Sequence, residues 1–172
     1  SVFVLEHKLG QIIEIQNYNK DPKINPKPIL NIESLISKNE NWEQGFNGFA
    51  FSPNFKKDKY IFVSYNNKNN QIILSRFEYD DKIKQAKPSS EVELLSVERL
   101  SSEDTPYHNC GTISFNPKDN YLYICLGDTR IPESSQNIKV LSGKILRIDP
   151  FNFSENGKNY SFVRENPFTQ LD

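Results

Sequence analysis

The chain has 172 residues, a net charge of −1 and 25% charged side chains. That length suffices for one domain with a real core, and the charge balance excludes the basic excess of a nucleic-acid binder. Hydrophobic residues reach only 36%, and no apolar run approaches the roughly 20 residues that cross a bilayer as a helix.

The chain opens on Val2-Phe3-Val4-Leu5 and Ile12-Ile13-Glu14-Ile15, two short runs that read as strands. Between them lie Glu6, His7 and Lys8, where a secretory leader would carry a long apolar stretch. There is no Met, even at position 1, so the chain is read as processed, trimmed or cut from something longer. Asn17 to Pro28 is polar and Pro-rich and predicts a surface loop. Ile32 to Ile36 has room for a helical turn or two, as has Ile138 to Leu141. Tyr60 to Tyr65, Gln71 to Phe77, Tyr121 to Leu126 and Lys144 to Ile148 complete the β-branched and aromatic runs, with a second polar loop at Lys82 to Glu91. The sequence predicts an all-β domain.

It also repeats. Phe51-Ser52-Pro53, a polar turn and Tyr60-Ile61-Phe62-Val63 return as Phe115-Asn116-Pro117, a polar turn and Tyr121-Leu122-Tyr123-Ile124, with Gly48 and Gly111 ahead of the two units. Gly10-Gln11-Ile12-Ile13-Glu14-Ile15 is echoed by Gly143-Lys144-Ile145-Leu146-Arg147-Ile148. Repeated hairpins that cannot bury both faces alone stack on their neighbours, which points to a β-propeller. At ~40–50 residues per blade, the chain holds about three blades of a ring that usually has four to eight. A β-sandwich is the rival that fits the length.

Few residues carry chemistry. Of the two histidines, His7 is expected on the surface of the first strand, whereas His108 stands between a polar loop and a strand. Imidazole titrates nearest neutral pH, which suits a proton acceptor. Asp128 follows the strand Tyr121 to Leu126. If Cys110 to Phe115 pairs with that strand, His108 and Asp128 share its open end, where a carboxylate fixes the tautomer of an imidazole. The alternative is an Asp128 that simply closes a turn after Gly127. Cys110 and Cys125 do not have a metal-ligand spacing. Two inert buried thiols are the simpler expectation, and a disulfide across the hairpin is the alternative. Trp42 is expected in packing between blades, with a sugar-lining role as the alternative. Asp80-Asp81 and Glu103-Asp104 are expected to be solvated turn residues rather than cation ligands. Asn152-Phe153-Ser154 and Asn159-Tyr160-Ser161 match glycosylation acceptors, a pattern that an Asn-rich chain produces by chance.

Several segments together resemble the glucose/sorbosone dehydrogenase family. Glu43-Gln44-Gly45-Phe46-Asn47-Gly48-Phe49-Ala50-Phe51-Ser52-Pro53-Asn54-Phe55 resembles its E-x-G-L-L-G-x-A-F-H-P-x-F stretch, and His108-Asn109-Cys110-Gly111 its H-x-G-G. Leu126-Gly127-Asp128 resembles its strand-end G-D, and Gly143 to Pro150 its G-K-I-L-R-I-D-P. Asn166-Pro167-Phe168 resembles its N-P-F, and the opening Val4-Leu5-Glu6 through Gly10-Gln11-Ile12 resembles its first-blade E-x-x-G-x-I. The resemblance implies a six-bladed propeller of which this is the N-terminal part. It implies pyrroloquinoline quinone with calcium as cofactors, most of their ligands lying outside this chain. It also implies a sugar or polyol substrate, an external electron acceptor, and a periplasmic or extracellular location. By position, His108 becomes the general base and Asp128 its partner, with Glu43, Gln136 and Arg130 toward cofactor or substrate. No metal ligand is assigned within this chain.

The pattern is departed from in four places. Cys110 replaces a glycine, Asn47 an apolar residue, Ser52 a histidine, and Thr129-Arg130 a Gly-rich continuation. The departures sustain a second expectation, a propeller that binds a partner and does no chemistry. A calcium-dependent hydrolase or lactonase ranks last, because no cluster of Asp, Asn and Glu ligands is evident. By itself, this stretch is expected to be inactive and prone to association, since three open blades expose apolar faces.

Overall fold

The structure is a computed structural model describing residues 1–38, 43–100, 107–154 and 156–168. Trp42 and the pair Glu103-Asp104 lie outside the described residues. Among the described residues strand accounts for 42% and helix for 8%, so the all-β expectation holds.

Three antiparallel sheets follow one another along the chain. The first contains β1 (Val2–Glu6), β2 (Gln11–Gln16), β3 (Lys23–Ile24) and β4 (Leu30–Asn31); β2 pairs with β1 along one edge and with β3 and β4 along the other. The second contains β5 (Phe46–Phe51), β6 (Tyr60–Asn66), β7 (Ile72–Asp80), β8 (Gln85–Ala86) and β9 (Val92–Val97). Its order is β5-β6-β7-β9, with β8 at the far end of β7. The third runs β10 (Cys110–Phe115), β11 (Leu122–Leu126), β12 (Lys144–Asp149) and β13 (Ser161–Phe162) in sequence order. Meanders of this kind, stacked side by side, are propeller blades and not the two facing sheets of a sandwich.

The core explains why the chain stacks. Ile61, Val63 and Tyr65 of β6 join Ile12, Leu30, Phe46 and Ile73 in one buried cluster, while Phe62 joins Ile113, Leu122, Ile124 and Ile148 in another. Successive residues of a strand point to opposite faces. The middle sheet is therefore buried on both sides, against the first sheet and against the third. This is why Tyr60 to Tyr65 reads as an apolar run, interrupted only at Ser64, and not as an alternating one. The repeat noticed in the sequence falls on equivalent hairpins, β5-β6 and β10-β11, and the second echo falls on β2 and β12. At Gly111 (φ +104), an added Cβ would stand 2.7 Å from Cβ of Asn47 and 2.8 Å from Oγ of Ser64. Only a glycine lets the two innermost strands approach so closely.

One strand was not anticipated, and two sequence expectations change. The strand β9 escapes a reading by alternation because a bulge opposite Leu74 and Ser75 turns both Leu94 and Leu95 inward. His7 is no exposed strand residue: it lies in the turn after β1, half-buried, with Nδ1–H donating to the Phe46 carbonyl at 2.8 Å. Cys110 and Cys125 are not two buried thiols but a disulfide, with Cα atoms 5.9 Å apart. The expected helical segments are tight turns, Leu35 N–H to Ile32 O at 2.8 Å in the first and Val140 N–H to Asn137 O at 3.3 Å in the second. Asp80 and Asp81 are surface ion-pair residues, 3.0 Å from Lys87 and 2.7 Å from Lys59.

The disulfide closes a loop with a sequence separation of 15. In the chain-entropy model such a loop is worth about 3 kcal/mol. The double substitution Cys110→Ser/Cys125→Ser should lower the unfolding free energy by that order, read from the urea midpoint under non-reducing conditions. An unchanged midpoint would show that the bond constrains nothing in the unfolded chain.

Candidate functional site

The site lies where β10 begins and β11 ends. Cys110 pairs with Leu126 at the mouth of this hairpin, so the residues just outside it, His108 and Asp128, come out side by side. His108 Nδ1 is 2.7 Å from Asp128 Oδ1. A carboxylate can only accept, so Nδ1 carries the proton and Nε2 is the basic nitrogen. The imidazole is 54% exposed and the carboxylate 23%. Substrate can therefore reach the ring while Asp128 stays behind it.

Burial alone would raise the Asp128 carboxyl. The hydrogen bond from His108, the backbone N–H of Arg130 at 2.9 Å and the charge of the imidazole together outweigh it and hold the group below the usual carboxylate range. A carboxyl whose folded pKa is depressed stabilises the protein above its unfolded pKa, and that contribution is lost as pH falls through the folded value. The stability gap between wild type and Asp128→Asn should close as pH falls below the carboxyl's ordinary value of 3.8. The pair is solvent-screened, so the gap should stay under about 1 kcal/mol. Acid titration of both proteins by circular dichroism measures it, and a gap that widens in acid would contradict the assignment.

The backbone around the pair is unusual. His108 (φ 60), Cys110 (φ 58), Thr129 (φ 53) and Arg130 (φ 66) all occupy the left-handed region. Non-glycine residues persist there only where the surroundings over-determine them, and such clusters mark functional sites. Several contacts do so here. A carboxylate oxygen of Glu43 accepts from the backbone N–H of His108 and, at 3.4 Å, from that of Asn109. Thr129 N–H donates to His108 O at 3.2 Å, and Gly127 N–H to Asn109 O at 3.0 Å. Gly127 admits no side chain, since an added Cβ would fall 1.8 Å from the His108 carbonyl oxygen.

Behind this runs a polar chain that sequence reasoning did not find. Asn47 Nδ2 donates to Asn66 Oδ1 at 2.8 Å, Asn66 Nδ2 to Asn109 Oδ1 at 3.1 Å, and the Arg99 guanidinium to the same Asn109 oxygen at 2.7 Å. Asn66 and Asn109 are fully buried. Burial lowers the Arg99 guanidinium pKa, and the Glu43 carboxylate opposes that shift. Asn47 was noted as a departure from an apolar pattern, and it opens this chain. Asn66 and Asn109 carried no signal, because a lone Asn at a strand end reads as a turn residue.

The remaining candidates sit on the loop after Asp128. Arg130 is exposed, with its guanidinium 5.9 Å from the centre of the Tyr107 ring. Gln136 ends a 3-10 turn (Pro132–Gln136) and is also exposed. Lys144 holds this loop against the third sheet, with Nζ donating to Ser134 O at 2.6 Å and Ser142 O at 2.9 Å. The structure thus joins His108, Asp128 and Glu43 directly, reaches Arg130 through its backbone, and leaves Gln136 on the rim. Among the described residues, no group of three or more His, Cys, Asp or Glu side chains is placed to hold a metal ion. Ser52 serves its own turn, with Oγ bonded to Asp58 Oδ2 and accepting Asn54 N–H at 3.0 Å. The later motifs brace one another, since Arg147 Nε donates to Asn166 Oδ1 at 2.8 Å and Asn166 Nδ2 to Arg147 O at 2.9 Å.

Comparison with known proteins places the fold. The PQQ-bound form of aldose sugar dehydrogenase from Streptomyces coelicolor superimposes with a TM-score of 0.67 at 21% identity, over 92% of this chain and 45% of that one. The apo-form of the soluble aldose sugar dehydrogenase from Escherichia coli does so with a TM-score of 0.62 at 16% identity, over 95% of this chain and 43% of that one. At such identities the likeness is one of fold, and it establishes the partial β-propeller. Among curated proteins, Hedgehog-interacting protein of Homo sapiens is 28% identical over 173 residues, 91% of this chain and 24% of its own length. The HIPL1 protein of Arabidopsis thaliana is 37% identical over 103 residues, 52% of this chain and 14% of its own length. The chain thus spans under half of these solved structures and a quarter or less of these curated relatives. The family model for glucose/sorbosone dehydrogenase matches residues 2–170, and the chain accordingly belongs to that family.

Proposed function

We propose that this chain carries the proton-accepting site of a quinone-dependent dehydrogenase that oxidises a sugar or related polyol. The observation that carries the reading is the His108–Asp128 contact at 2.7 Å. Nδ1–H is held by the carboxylate, so Nε2 takes the proton of a substrate hydroxyl as the adjacent C–H leaves with its electron pair. Asp128 sets the tautomer and stabilises the imidazolium that forms. Glu43 holds the backbone on which the ring is mounted.

Pyrroloquinoline quinone, when bound, supplies the acceptor for the hydride. The donors present suit its carboxylates, because the exposed guanidinium of Arg130 and the amide of Gln136 both lie on the loop leaving Asp128. Calcium is different: the family resemblance assigns most of its ligands to the rest of a larger propeller. In this reading the single partial domain of residues 1–172 is inactive alone and works within a longer parent, which passes its electrons to an external acceptor. The disulfide supports a location outside the reducing cytoplasm, in a periplasm or beyond the cell.

A second reading has an observation of its own. One curated relative is named for its interaction with a protein, and it aligns with 91% of this chain. In that reading the loops around His108 bind a partner and no quinone enters. Calorimetric titration of the full-length protein with pyrroloquinoline quinone and calcium separates the two. Saturable binding that requires calcium supports the dehydrogenase, and absence of binding to a folded protein favours the interaction module.

A further inference from the structure

The disulfide stands at the base of the His108–Asp128 pair. Cys110 is two residues beyond His108, and Cys125 is three residues before Asp128. The β10–β11 ladder is irregular at this place: Cys110 faces Leu126, and the register then shifts before Ile113 faces Ile124. The hydrogen bonding that should hold the two strands together is therefore interrupted just inside the pair. A covalent bond spans the interruption. Cys110 also sits at φ 58, a conformation that suits the glycine of the family pattern and that a side chain rarely adopts.

We infer that the Cys110–Cys125 disulfide is a positioning element that keeps His108 and Asp128 in contact, which makes the pair sensitive to reduction. Cys110 and Cys125 touch no reacting atom; they act through the backbone of the two residues that do. The bond is reachable, because Cys110 is exposed. A dithiol reductant breaks the Sγ–Sγ bond by exchange. Two electrons and two protons pass to Cys110 and Cys125, which become thiols, and the dithiol closes to its own disulfide. The bulged ladder and the hydrogen bonds of Thr129 N–H to His108 O and of Gly127 N–H to Asn109 O then hold the hairpin mouth without the covalent bond, and the imidazole loses its fixed partner. The inference rests on the reading of this pair as the proton-accepting site. Its test uses no quinone, so it can fail while that reading stands, and the reverse.

The test is ring nitrogen-15 spectroscopy of the full-length protein above pH 8, where an ordinary imidazole is neutral. The His108 signals are identified as those missing from the spectrum of His108→Gln. His7 serves as the internal reference, because its Nδ1–H is held by the Phe46 carbonyl in another sheet. In the oxidised protein both rings should show the pure Nδ1–H tautomer. After reduction with dithiothreitol, confirmed by mass, His108 should shift to a mixture of tautomers while His7 keeps its signature. The variant Cys110→Gly/Cys125→Ala should do the same without reductant, since glycine accepts the left-handed backbone and removes only the bond. A His108 ring that stays locked on Nδ1 in this variant, or after reduction of a folded protein, overturns the inference. If reduction releases both rings together, the variant decides. Loss of both rings in the variant also overturns the inference, because the bond would then be a brace for the whole fold.

Discussion

Replacing His108 by Gln in the full-length protein should lower kcat for sugar oxidation by about 10²–10⁴-fold, the usual contribution of a positioned general base. Quinone affinity should stay within a factor of a few, because the side chain lost is the proton acceptor and not a carboxylate donor. The expectation follows from the ring's geometry: Nδ1 is committed to Asp128, and the His108 side chain is exposed. Asp128→Asn should lower kcat in the same direction. An amide can offer Nδ1 an N–H and invite the opposite tautomer, which would place the proton on the working nitrogen. Stopped-flow reduction of the bound quinone checks both variants, since it isolates the chemical step from reoxidation. A His108→Gln protein that reduces its quinone at the wild-type rate would assign His108 to structure alone.

The second large effect is on stability. Gly127→Ala would put a methyl group 1.8 Å from the His108 carbonyl oxygen and 2.4 Å from its carbonyl carbon. Those atoms are backbone, pinned by the Thr129 N–H and by the Glu43 carboxylate on the adjoining N–H. Nothing flexible is available to move aside. Overpacking usually costs about 1–3 kcal/mol, and this substitution should reach or exceed the upper figure. The strands must separate at the hairpin mouth, so the His108–Asp128 contact should go with the stability. Chemical denaturation gives the first quantity and the His108 ring spectrum the second. A wild-type midpoint with an intact contact would mean that the close approach is not required.

Much of this architecture was legible because blades bury both faces. A strand buried on one side alternates, and one buried on both sides, such as β6, reads as a plain apolar run bounded by polar turns. The repeat of Phe51-Ser52-Pro53 as Phe115-Asn116-Pro117 marked equivalent hairpins. Strand β9 was invisible for the opposite reason, because a bulge breaks its alternation and sets Leu94 and Leu95 inward together.

The candidate site was half legible. His108 and Asp128 announce themselves by residue type and by their places at the ends of paired strands. Glu43 was found as a matching position, but its contact is with the backbone of His108 and Asn109, and backbone partners have no sequence signal. The chain from Asn47 through Asn66 and Asn109 to Arg99 draws on both the middle and the third sheets, so it exists only once the blades have stacked. The disulfide was equally hidden. Two cysteines on neighbouring strands can be bridged only in certain registers, and the register here turns on an irregularity between Cys110 and Ile113.

The most direct test of the central claim is an anaerobic single turnover. Full-length protein loaded with pyrroloquinoline quinone and calcium is mixed with a panel of aldoses and polyols, and the quinone absorbance is followed beside His108→Gln. The account predicts that at least one sugar bleaches the quinone in the wild type, stoichiometrically, and that the variant binds the quinone but bleaches it slowly. Wild-type protein that binds no quinone, or binds it and is reduced by no member of the panel, would contradict the account and leave a propeller built for a partner.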